Sequence, residues 1–202
     1  MKIIILHGLY MHGIAMLPLS QRLEKLGYQT EVLSYNTVAI NEDKIFPAID
    51  KAIDPNQVNI LVGHSLGGIV IKRYLASRKP DSTTISHVVA IGSPINGASI
   101  VGKIQQMGLG VILGNSAKFG LEKHDDTWSF PQKLGSLAGT LPIGVRSILM
   151  GRAHSDGTVT VDETKISGMT DHQKIRNTHT SMIYSSNVAE QIDHFIRNDK
   201  FS

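Results

Sequence analysis

Ser65 lies in Gly63-His64-Ser65-Leu66-Gly67, directly after the aliphatic run Ile60-Leu61-Val62. A serine hydroxyl is a weak nucleophile near neutral pH. It becomes an effective one beside a base that is itself held by an acid. Glycines two residues to either side let the backbone double back in a tight, strained turn, so that the hydroxyl projects from the strand end. The segment that follows reads as a helix, and free N–H groups at a helix start favour developing negative charge at the same place. Three fixed positions in five are a modest signal. The buried strand before them and the helix after them make Ser65 a candidate nucleophile rather than an incidental turn serine.

Its acid and base are expected later in the chain, at the ends of other strands. The stretch GRAHSDGTVTV places Asp156 in a Ser-Asp-Gly turn, although Asp-Gly is also simply a favoured turn dipeptide. The stretch RNTHTSMIYS places His179 just before the last helix. Ser65, Asp156 and His179 follow the chain order that a serine-acid-histidine set takes on a parallel α/β sheet. His172 and His154 are rival bases. His172 enters the last strand, and His154 is nearly adjacent to Asp156. Asp162, Glu163, Asp125 and Asp126 are reserve acids, and the last two read as solvated. The oxyanion donors expected are the N–H of Leu66, next to the nucleophile, and that of Leu9, after the sharp turn at His7-Gly8. His7 and His12 have metal-ligating side chains, but no HExxH or paired carboxylates accompany them. No metal and no organic cofactor is expected. His64 is expected to pack beside the turn.

Short aliphatic runs alternating with helix-period segments must position these groups. Strands are predicted at Lys2 to His7, Thr30 to Tyr35, Val58 to Gly63, His87 to Ser93 and Val145 to Gly151, with a weaker one near Gln173 to Ile175. Pro18 suits an early helical position, Leu19, Leu23 and Leu26 share a face, and Gly27 ends that helix. Asn41 caps a helix lined by Ile45, Ile49 and Ile53. Further helices are predicted from Leu66 to Ser77 and from Ser181 to Ile196, the latter burying Val188, Ile192, Phe195 and Ile196. The alternation implies an α/β fold, a mostly parallel central sheet of about six strands with helices on both faces. The segment 98–144 breaks the rhythm. It reads either as one crossover helix plus irregular structure or as a small cap, and one helix can serve as both. Met107 and Leu109 within it are candidate substrate-binding residues, because flexible apolar side chains suit an acyl group.

At 202 residues the chain suits a single domain. The net charge of +3 is small and its cations are scattered, which speaks against nucleic-acid binding. The absence of cysteine excludes disulfides and thiolate catalysis. No apolar run reaches the length of a membrane span. MKIIIL is cut short by HGLY, so it reads as a first strand rather than a signal peptide, and a cytoplasmic location is the expectation.

Taken together, HGLY at His7, GHSLGG at Gly63, GSPINGA at Gly92, SDGTV at Ser155 and HTSM at His179 resemble the α/β-hydrolases of the lipase and esterase group. The likeness is to small bacterial members with little or no lid. It implies a triad of Ser65, Asp156 and His179, an oxyanion hole from Leu9 and Leu66, and a sheet that begins at the family's third strand. Ser93 takes the threonine position of the family's Gly-Thr-Pro turn. The implied activity is cleavage of small-molecule carboxylic esters through an acyl-enzyme. Acyltransfer and thioester cleavage use the same groups, and a non-catalytic binding protein that kept the fold is a further reading.

Overall fold

The structure, a computed structural model, describes residues 1–97, 127–143 and 154–202. Six strands form one sheet: β1 (Lys2–Leu6), β2 (Gln29–Leu33), β3 (Asn59–His64), β4 (Ile85–Ile91), β5 (Lys133–Gly139) and β6 (Asp171–Ile175). Their order is β2-β1-β3-β4-β5-β6, and each neighbouring pair is parallel. All six carboxyl ends therefore point to one edge, where ligands meet such sheets.

Side chains of β1 alternate between two cores, as a strand's period of two requires. Ile4 and Leu6 join the core beneath α2 (Glu42–Ala52) and α3 (Leu66–Arg78). Ile3 and Ile5 join the other, covered by α1 (Leu17–Lys25) and α4 (Ser186–Asn198). Leu19 and Leu23 of α1 are fully buried there, as are Val188, Ile192 and Phe195 of α4. Asn41 caps α2 by accepting from the Asp43 N–H at 2.9 Å. Pro18 lies in the first turn of α1, and Gly27 leaves that helix at φ +94°.

Two expectations need correction. The last helix begins at Ser186, not Ser181. Residues Ser181–Tyr184 form a separate 3-10 turn, and Ser185 is extended between them. The second correction concerns the 98–144 segment, whose residues Lys133–Gly139 are an internal strand of the sheet. Glycines and serine hid it, because KLGSLAG lacks the β-branched and aromatic residues that mark strands. Neighbouring elements require those small residues. A Cβ at Gly135 would stand 2.8 Å from both Phe195 and Phe201 ring carbons, and one at Gly139 would stand 2.6 Å from the Asn177 carbonyl oxygen. The strand predicted at 145–151 lies outside the described residues.

Candidate active site

β3 runs fully buried to His64, and Ser65 follows with φ +54° and ψ −119°. That conformation is strained for any residue with a Cβ. The surroundings enforce it. A Cβ on Gly63 would meet the Gly67 carbonyl carbon at 2.5 Å, and one on Gly67 would meet the Leu6 carbonyl carbon at 2.9 Å. Both distances are too short for real atoms, so only glycine lets α3 start so close to the ends of β1 and β3. The Ser65 N–H is fixed by the Ile91 carbonyl at 2.9 Å. Leu66 is the first residue of α3, so its N–H is among the donors a helix start leaves without intrahelical partners.

The loop after β1 packs on this turn. A Cβ on Gly8 would lie 3.0 Å from Ser65 Cβ, and half-buried Leu9 comes next. His7 anchors the loop. Its Nε2 accepts from the Tyr35 N–H at 3.2 Å, so the neutral ring carries its proton on Nδ1, which lies 3.0 Å from the Gly8 carbonyl. Its ring stacks on Tyr35 at 4.5 Å, and the Tyr35 hydroxyl donates to the His7 carbonyl at 2.7 Å. Burial lowers the His7 pKa, opposed by the Gly8 hydrogen bond. A charged ring could no longer accept from Tyr35. His7 thus has a role that the metal-ligand reading did not suggest, and exposed His12 does not share it.

Asp156 and His179 meet across the carboxyl edge. His179 Nδ1 lies 2.7 Å from Asp156 Oδ2. Asp156 Oδ1 accepts from the N–H groups of Thr158 and Val159 at 2.9 and 2.7 Å, so a buried carboxylate is held on both oxygens. The His179 N–H also donates to the Asp156 carbonyl at 2.8 Å. Gly92, at φ +55°, brings β4 beside the pair. A Cβ there would stand 3.1 Å from Asp156 Oδ2 and 3.2 Å from His179 Nδ1. The His64 ring joins this pair to the serine turn, with its centroid 4.8 Å from that of His179.

The structure brings Asp156 and His179 into contact at the edge where Ser65 stands, with Leu66 directly after the serine and Leu9 directly after Gly8, which packs on it. The rivals are engaged elsewhere. His172 lies within β6 and donates from Nε2 to Thr164 Oγ1 at 2.9 Å, while that hydroxyl donates to the Val161 carbonyl. His154 is exposed. Asp162 pairs with Lys165 at 3.0 Å, and Glu163 accepts from the Thr160 N–H at 2.7 Å. Asp125, Asp126, Met107 and Leu109 lie outside the described residues. No local pattern in the sequence marks Tyr35, because its partner His7 is 28 residues away. Ser93 has a packing role: its Oγ donates to the Gly63 carbonyl at 3.2 Å and occupies the space a side chain on Gly68 would need.

A family model described as "PGAP1-like alpha/beta domain" matches residues 24–196, most of the chain. The chain belongs to this family. Solved structures with the same fold include the mature form of Bacillus licheniformis lipase BlEst2, at 18% identity and a TM-score of 0.69 over 97% of this chain and 90% of that one. The metagenomic carboxyl esterase MGS0156 is similar at 16% identity and a TM-score of 0.72, over 98% of this chain and 76% of that one. The thioesterase domain SrfTE, described in the cyclization of the lipopeptide antibiotic surfactin, is similar at 13% identity and a TM-score of 0.62, over 98% and 92% of the two chains. No curated protein matches the chain. The architecture is a minimal α/β-hydrolase fold resembling bacterial esterase and lipase structures. Among the described residues, no helix is long and apolar enough to cross a membrane.

Proposed function

We propose that the chain is a serine hydrolase that cleaves small carboxylic esters, a carboxylesterase or lipase, with Ser65 as nucleophile, His179 as general base and Asp156 as its orienting acid. The observation that carries this reading is the 2.7 Å contact of His179 Nδ1 with a buried, doubly held Asp156 carboxylate at the edge where strained Ser65 projects. Asp156 accepts a hydrogen bond from the Nδ1–H, which keeps that proton on Nδ1 and leaves Nε2 as the free base. Nε2 takes the Ser65 proton as Oγ attacks the ester carbonyl carbon. The tetrahedral oxyanion is met by the Leu9 and Leu66 N–H groups. As the carbonyl re-forms, the C–O bond to the alcohol breaks and His179 returns the proton to the leaving oxygen. Water, activated by the same histidine, then attacks the acyl-enzyme, and Ser65 leaves with that proton.

On sequence grounds, Met107 and Leu109 are proposed to border the acyl chain. Met107→Trp and Leu109→Trp should then shift the preferred acyl length while short-ester turnover is preserved, because binding along the chain changes and the reacting centre does not. The test of the whole reading is a panel of p-nitrophenyl esters of rising acyl length, with fluorophosphonate labelling. Labelling at Ser65 and its loss in Ser65→Ala are expected. A folded protein that neither labels nor hydrolyses any ester would leave a binding role in its place.

A further inference from the structure

His64 takes no part in the steps above, yet it touches both halves of the site. Its side chain is buried, and its Nε2 lies 3.0 Å from the His179 carbonyl oxygen. A carbonyl only accepts, so Nε2 carries the proton. Nδ1 is buried without a partner among the described residues, and Gly8 packs so close that a Cβ there would stand 3.0 Å from it. A second proton on Nδ1 would face no acceptor among the described residues, so the neutral ring is favoured. Burial, foremost, and the neighbouring His179 push its pKa down to about 3.

We propose that His64 is a positioning residue for the catalytic histidine: its Nε2–H grips the His179 carbonyl while its ring backs the His179 ring. The inference rests on the ester-hydrolase reading of this site. Among the described residues, three hydrogen bonds fix His179. Two of them, from its N–H and its Nδ1, go to Asp156. Both of those lead to the Asp156 loop, and neither ties His179 to the serine turn. The third comes from the residue beside Ser65 and supplies that tie, so nucleophile and base are held in one frame. A neutral neighbour also adds no repulsion to the imidazolium that forms on His179 during attack.

Three variants separate the hydrogen bond from the packing. Phe at position 64 keeps a ring and loses the donor. Gln carries an amide N–H at about the reach of Nε2, and Asn carries one only at the reach of Nδ1. The readouts are steady-state hydrolysis of p-nitrophenyl butyrate and the downfield proton resonance of the Asp156–His179 hydrogen bond. His64→Phe is expected to lower kcat about 10- to 100-fold at nearly constant KM, the scale of a small misplacement of a catalytic group. It should also shift or broaden the resonance. His64→Gln should restore both, and His64→Asn should behave like Phe. A His64→Phe enzyme with unchanged kcat, or Gln and Asn variants that lose activity equally, would overturn the proposal. If the Phe variant does not fold, the Gln–Asn contrast decides alone. Ser65→Ala in the same assay keeps the two claims apart. Activity that survives it sinks the hydrolase reading, whereas an inactive Ser65→Ala beside a fully active His64→Phe sinks only the positioning role.

Discussion

The serine turn and the Asp156–His179 pair reach the same edge by different physical means. The turn is held by exclusion. Backbone atoms of Leu6, Gly67 and Gly68 leave no room for side chains at Gly63 and Gly67, and the strain at Ser65 is borne by that packing. The acid–base pair is held by attraction, through hydrogen bonds between loops 23 residues apart in sequence. Exclusion is written into the local sequence as glycine. Attraction between distant loops is not, since Asp-Gly turns and loop histidines are common in any protein. The two regions should accordingly fail in different ways.

The largest effect is expected from Ser65→Ala, which removes the nucleophile without touching the packing. Hydrolysis should fall roughly 10⁶-fold, the cost seen when a triad serine alone is lost. The midpoint of thermal unfolding should stay put. Asp156→Asn should follow, with kcat down about 10⁴-fold as His179 loses the partner that sets its tautomer. Comparable turnover by that variant would place the acid elsewhere. Gly67→Ala addresses the other region. Its Cβ would overlap the Leu6 carbonyl, and urea unfolding should show about 3 kcal/mol of lost stability, the upper range for overpacking.

A subtler contrast lies in pH. His64 is surrounded by His179, Asp156 and His7, and its folded pKa sits far below the ordinary 6.5. Below about pH 6.5 the unfolded chain takes up a proton at His64 that the folded chain refuses, so stability falls as pH drops toward 3. His64→Gln should flatten that slope in urea titrations between pH 6.5 and 4. His7, whose pKa is also lowered, leaves a residual slope. The smallest effect is a gain. Ser65→Gly should relieve the strained φ and, net of glycine's greater unfolded freedom, raise stability by about 1 kcal/mol while abolishing hydrolysis. No gain would mean that the turn carries little strain.

The sequence by itself determined the approximate places of five of the six strands found among the described residues, the α/β alternation, the caps at Asn41 and Gly27, and the glycine-flanked turn at Ser65. It did so because hydrophobic period and glycine record constraints that act within a few residues. β5 was decided only by the tertiary structure. Its Gly135 and Gly139 are small because Phe195, Phe201, Asp156 and Asn177 crowd against them, and nothing in KLGSLAG names those neighbours. The same holds for the two buried histidines. His7 is protonated on Nδ1 because Tyr35 donates to its Nε2, and His64 on Nε2 because the carbonyl of His179 accepts there. A histidine's tautomer is set by the partners that folding brings to its two nitrogens. Those partners lie 28 and 115 residues away.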